Sequence, residues 1–100
     1  MYIVVEFLDA VPGSSAKLRA ALLLLGRSTL EKKLGCHHFD VGQDEVDGNA
    51  FLIYQVFDTK AAYLAHLERT EYAGHRVLVD PWIRTRRSLT YDLVSGAGLA

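Results

Sequence analysis

One hundred residues, half of them hydrophobic, with a formal net charge of −1 suit a single folded domain. That balance offers no basic field for nucleic acid or an anionic membrane, and no apolar run approaches the ~20 residues needed to cross a bilayer. The lone cysteine, Cys36, excludes an intrachain disulfide and fits a reducing, cytoplasmic setting.

Tyr2–Leu8 (YIVVEFL) is rich in β-branched and aromatic residues and reads as a strand. No basic leader precedes it, so no signal peptide is expected. Tyr2, Val4, Glu6 and Leu8 share one side, and Ile3, Val5 and Phe7 the other. Pro12-Gly13 marks a turn, and Ser14 or Ser15 is placed to cap a helix over Ala16–Leu34. Leu18, Leu22 and Leu25 form its apolar stripe, with Leu23, Leu30 and Leu34 expected to widen it. Gly35 is the expected helix stop.

His38–Gln43 and Ala50–Phe57 are apolar runs flanking a polar tract that holds Asp47-Gly48-Asn49, a dense turn signal. They predict strand, loop, strand. Asp58-Thr59 then offers acceptors for the start of a short helix over Lys60–Leu67, which carries His66. Thr70 is placed to cap a further helix, Glu71–Val79, with Tyr72, His75, Arg76 and Val79 along one side and Asp80-Pro81 ending it. Trp82–Val94 reads as a last strand, in which Leu89, Tyr91 and Leu93 alternate with Ser88, Thr90 and Asp92 as if one face were buried. The domain is expected to span residues 1–94, with 95–100 as a flexible tail.

The order β-α-β-β-α-α-β predicts an α+β, ferredoxin-like split β-α-β fold, with helices over one face of an antiparallel sheet. Tyr2–Leu8 and Phe51–Phe57 are nevertheless apolar on both faces. A face open to water should be polar, so the bare one calls for a cover, most simply a second copy in a symmetric homodimer.

Gly35-Cys36, Phe39-Asp40-Val41, Phe51-Leu52-Ile53-Tyr54, then Ala62, His66 and Tyr72 form a pattern that resembles the antibiotic biosynthesis monooxygenase family. The small quinol-monooxygenase-like and phosphorylated-autoinducer-isomerase-like members are nearest. The resemblance implies a dimeric α+β barrel with a pocket between sheet and helices in each subunit. It implies that a small quinol or polyphenol reacts there with O2 without metal, flavin or haem. The protein then needs only a general base, an aromatic-lined pocket and the exclusion of water.

His66 is the first candidate for that base, since imidazole titrates near neutrality and the resemblance puts a family histidine on this helix. Tyr72 and His75 are the other catalytic candidates. Phe39, Tyr54, Gln55, Tyr63 and Trp82 are candidates to bind a flat ring, although aromatics at such spacing also serve as core. The chain departs from the family at Gln55, where many members carry Glu, and at Glu71 and His75, where members often have His and an aromatic. Glu71 and His75, four residues apart on a helix, are placed to pair. His37-His38 is a poor metal pair because strand neighbours point apart, and Cys36 reads as packing. Arg84, Arg86 and Arg87 form either a solvated strand edge or an anion contact. The latter would favour the first rival reading, an isomerase of a phosphorylated dicarbonyl sugar. The second rival is a non-enzymatic dimeric binder of small molecules.

Overall fold

The structure, a computed structural model, describes residues 1–95. Of the expected tail, all but Ser95 lies outside the described residues. Strands β1 (Tyr2–Ala10), β2 (Cys36–Gln43), β3 (Ala50–Phe57) and β4 (Ile83–Asp92) form an antiparallel sheet in the order β2-β3-β1-β4. Helices α1 (Ser15–Glu31), α2 (Lys60–Leu67) and α3 (Thr70–Val79) connect them, and a 3₁₀ turn, Asp80–Trp82, follows α3. This is the ferredoxin-like α+β arrangement. Among the described residues, no helix is long and apolar enough to cross a membrane.

The ladder decides which residues share a face, because directly paired residues project to the same side. Val4 pairs with Gln55, Glu6 with Ile53 and Leu8 with Phe51. All six are buried, so this is the side the helices cover. Leu18, Leu22 and Leu25 of α1 press onto it, and Val4, Leu18 and Val79 lose all solvent contact. The opposite side carries Ile3, Val5 and Phe7 on β1, Leu52, Tyr54 and Val56 on β3, and Leu89 and Tyr91 on β4; of these Val56 alone is fully buried. No element of the described chain lies across that apolar surface, and Phe7, Leu52 and Tyr91 are exposed.

Several boundaries and faces differ from the sequence expectation. Leu23 and Leu30 do not widen the buried stripe; they sit roughly 100° round the helix from its centre and are exposed. Leu34 lies beyond α1, which ends at Glu31 because Lys33 turns left-handed (φ 50°). Gly35 (φ 88°) therefore shapes the entry to β2 rather than stopping the helix, and its carbonyl accepts the Asp58 N–H at 2.7 Å. Ser14 occupies the N-cap position of α1 with no side-chain capping bond. Thr59 does cap α2, accepting from the Ala62 N–H at 3.1 Å. Thr70 does not cap α3: Arg69 already has the extended backbone of a cap residue, and the helix starts at Thr70. β2 begins at Cys36 rather than His38, with a bulge at His37 that turns its side chain to Asp58. In β4 the alternation is real, but Leu89 and Tyr91 face the open side while Ser88 and Thr90 lie on the helix side. The helices do not reach over this end of the edge strand, so Ser88 and Thr90 stay exposed.

Gly26 marks the closest approach of α1 to the sheet. A Cβ there would lie 2.6 Å from Cδ1 of the buried Phe39 ring. Alanine favours a helix interior by roughly 1 kcal/mol, yet overpacking a core typically costs about 1–3 kcal/mol. Gly26→Ala is therefore expected to lower unfolding stability by about 1 kcal/mol, read from urea denaturation, despite its better helix propensity. The Gly26→Ala/Phe39→Leu double variant should recover part of the loss.

Candidate functional site

His66 sits in the last turn of α2, which the Thr59 cap and the α2–β3 packing hold over the sheet. It is buried, at 7% exposure, between two aromatic rings: Phe57 at 5.5 Å and Tyr72 at 5.0 Å between centroids. Its ring borders two different spaces.

The inner space lies between the sheet and the helices and is lined by Glu6, Gln55, His66, Tyr72, His75 and Arg86, with Phe39 and Ile53 as floor. Its free volume is only about 10 Å³, less than a water needs to settle comfortably, so no substrate ring enters it. It is a packed polar cluster. Glu6 is the one charged residue of β1's covered face before Leu8, and it is 6% exposed. Burial pushes its carboxyl above the ordinary range, against the pull of the Arg86 and Arg76 guanidinium groups and a hydrogen bond from Gln55. Arg86 donates to Glu6 Oε2 and to Asp80 Oδ1, each at 3.3 Å. Arg76 donates to the same Asp80 oxygen at 2.9 Å and to the Tyr72 hydroxyl at 3.4 Å. One polar chain thus runs from β1 through β4 to α3.

The two histidines of the cluster are both shifted toward the uncharged form. Burial lowers the His66 pKa below 6.5, and the Arg69 charge adds to the effect. Burial also takes His75 down to about 4, assisted by Arg86 and Arg76. Tyr63, one turn before His66 on α2, is pushed up to about 12 by burial and then by the Glu6 charge.

The outer space has a volume of about 180 Å³ and opens between the end of α1, the start of β2 and α2. Leu34, Cys36, Phe57, Ala62 and Ala65 give it apolar walls, His66 stands at its inner end, and Lys32 and Arg69 stand on its rim. A dry apolar void of about 150 Å³ takes up benzene, so this one suits one ring or two small fused rings. Burial raises the Cys36 thiol to about 11, so it is a protonated wall residue at neutral pH.

Of the candidates taken from the sequence, His66, Tyr72, His75, Gln55 and Phe39 come together in the inner cluster. Tyr63 packs beside them against Phe57 and Tyr2. Tyr54 does not join them: it pairs with Val5 and Asp40 and lies on the open face of the sheet. Trp82 stands apart in the 3₁₀ turn, with the Lys17 ammonium 6.0 Å above its ring. Glu71 does not pair with His75; it reaches back to Lys32 and Arg69. The arginines split: Arg86 turns inward to Glu6, whereas Arg87 lies over Phe7 on the open side. Glu6, Lys32 and Arg69 escaped sequence reasoning. For Glu6 a signal existed, a single carboxylate interrupting an otherwise apolar strand.

The family model for the antibiotic biosynthesis monooxygenases matches residues 1–76. The chain belongs to the antibiotic biosynthesis monooxygenase family. Among curated proteins none matches its sequence. Solved structures described as candidate antibiotic biosynthesis monooxygenases share its fold throughout. One from Nitrosomonas europaea is 21% identical, with a TM-score of 0.88, 95% of this chain and 100% of that chain being covered. One from Deinococcus radiodurans is 22% identical, with a TM-score of 0.87 and coverage of 96% and 95%. A third, from Chloroflexus aurantiacus, is 26% identical over 99% of this chain and 98% of that chain, with a TM-score of 0.82. Gln55 stands where the resemblance leads one to expect Glu, and the Glu6 carboxylate lies on the adjacent strand in the same cluster.

Proposed function

We propose that this antibiotic biosynthesis monooxygenase family member oxidises a small quinol or polyphenol with O2, using no cofactor, as a homodimer whose working unit is residues 1–94. The observation that carries the reading is His66. It is an uncharged imidazole at neutral pH that faces an apolar cavity of one-to-two-ring size on one side and a polar, charged cluster on the other. A ring bound in the outer cavity loses its phenolic proton to His66. The electron-rich anion passes one electron to O2, and the resulting radical pair joins to form a C–O bond. The O–O bond then breaks, one oxygen stays on the ring as a hydroxyl, and the other leaves as water. For a hydroquinone the sum is quinol plus O2 giving hydroxyquinone plus water. The protein's part is to bind, deprotonate and exclude bulk water. Tyr72 and His75 continue the polar cluster behind His66, where Glu6 is the group able to take the proton onward.

The isomerase reading needs arginines facing the substrate. Arg86 is engaged with Glu6 and Asp80, Arg87 lies on the other face, and the outer cavity's walls are apolar, which suits a flat ring better than a phosphorylated sugar, so the oxygenase reading is preferred. The test is oxygen uptake by purified, metal-free protein over a panel of hydroquinones and polyphenols, with heat-denatured protein as control. Uptake above autoxidation, with hydroxyquinone product in equal amount, supports the reading. Its absence across the panel overturns it.

The dimer rests on the open apolar face. A sheet bare on one side should be polar there, and Ile3, Val5, Phe7, Leu52, Leu89 and Tyr91 are not. Light scattering should give twice the 11.1 kDa chain mass, and Leu89→Asp should shift the protein to monomer with the helix signal intact. A monomeric native protein would refute this part.

A further inference from the structure

We propose that the outer cavity takes a one- or two-ring aromatic carboxylate, its acid group held between Lys32 and Arg69 where the Glu71 carboxylate now lies. This deepens the oxidation reading by naming its substrate class and rests on that reading for the ring's fate. The cavity walls are apolar, so the ligand body is apolar. Its rim is not: Lys32 projects from the residue that closes α1, and Arg69 from the link between α2 and α3. The two cations converge on a single oxygen, Oε1 of Glu71, which Lys32 Nζ pairs closely and Arg69 Nη2 meets at 3.4 Å.

Glu71 is not part of the cavity wall. It is a residue of α3 that reaches over to the rim, with its side chain 46% exposed. The Lys32 hydrogen bond, foremost, takes its carboxyl down to about 2, so it is fully ionised at neutral pH. The pair of cations is thus already shaped around a carboxylate, and the occupant is weakly held, since exposed ion pairs are readily exchanged. The 3.4 Å contact to Arg69 is long for a charge-assisted bond, which leaves guanidinium donors for a planar acid to engage in parallel. An acid on the ring would satisfy both cations while its ring fills the cavity up to His66. An uncharged ring fills the same cavity and leaves Glu71 where it is.

The probes are 1-hydroxy-2-naphthoate and 1-naphthol, which differ by the carboxylate alone, titrated anaerobically into the 100-residue chain by calorimetry at low salt. The naphthoate is expected to bind about tenfold tighter. Lys32→Met/Arg69→Met should erase that difference, the naphthoate falling to the affinity of 1-naphthol for the same variant. Glu71→Gln should tighten the naphthoate alone by a few-fold. Equal affinity for the two probes, no binding of either, a preference that survives in the double variant, or no gain in Glu71→Gln would each overturn the proposal. All readouts are equilibrium binding without O2. Failure here therefore leaves oxygen uptake with neutral quinols to be judged separately, and failure of turnover leaves the anion preference measurable.

Discussion

Replacing His66 by Ala is expected to lower kcat/KM for O2-dependent oxidation by about 100-fold, the usual scale for losing a positioned general base. Most of the loss should appear in kcat, because the apolar walls that bind the ring are untouched. His66→Gln separates chemistry from packing: it fills the same space, offers hydrogen bonds and cannot accept a proton at neutral pH. Both variants should therefore lose activity to a similar extent, while only Ala opens a void next to Phe57 and Tyr72. The pH profile gives a second check. Burial and Arg69 lower the His66 pKa below 6.5, so the uncharged, basic form predominates at pH 7. After subtraction of autoxidation, activity should fall on an acid limb as pH drops through the lowered His66 pKa. Arg69→Met removes the cation that contributes to the shift and should move that limb to higher pH. An unchanged rate in His66→Gln would remove His66 from the chemistry.

The sequence announced the middle of this chain well because each local signal there agrees with its neighbours. Ala50–Phe57 and Lys60–Leu67 are found with the expected bounds, set by the Asp47-Gly48-Asn49 turn on one side and the Thr59 cap on the other. The rest was harder for identifiable reasons. Leu22–Leu25 places four leucines in a row, so composition alone does not tell the buried Leu22 and Leu25 from the exposed Leu23 and Leu24. β4 shows a clean alternation, but which side of it meets the helices depends on where helices end above an edge strand. The site suffers from the same non-locality. Glu6 and Arg86 are far apart in sequence and meet only because β1 pairs with β4 in one register. Tyr54 and Gln55 are adjacent, yet strand alternation sends one to the open face and the other into the cluster. Imidazole chemistry singled out His66 as a candidate, but the cavity beside it is a property of three elements packed together.

Arg86→Met is expected to destabilise the protein by about 3 kcal/mol at pH 7, because it strands the Glu6 carboxylate in the core without its cation. The pair is well placed to show this asymmetry: the Glu6 side chain is 8% exposed and that of Arg86 22%. Arg86 also reaches Asp80, but that carboxylate is half exposed and keeps Arg76, so its loss adds little. Replacing both partners, as in Glu6→Leu/Arg86→Met, should restore most of the stability, since a buried ion pair exchanged for apolar groups of similar size is often neutral. The pH dependence follows from the direction of the Glu6 shift. Its folded pKa lies above the ordinary 4.5, so between those two values the folded state holds more protons than the unfolded state. Stability contributed by this group therefore declines as pH rises through that window. Loss of Arg86 raises the folded pKa further and widens the window. The deficit of Arg86→Met against wild type should be largest at pH 7 and above, and should shrink as acid protonates Glu6. Urea unfolding of the single and double variants at pH 5 and pH 7.5 measures all of this. If Arg86→Met were as stable as wild type, Glu6 would be protonated at neutral pH already and unable to take a proton onward from His66.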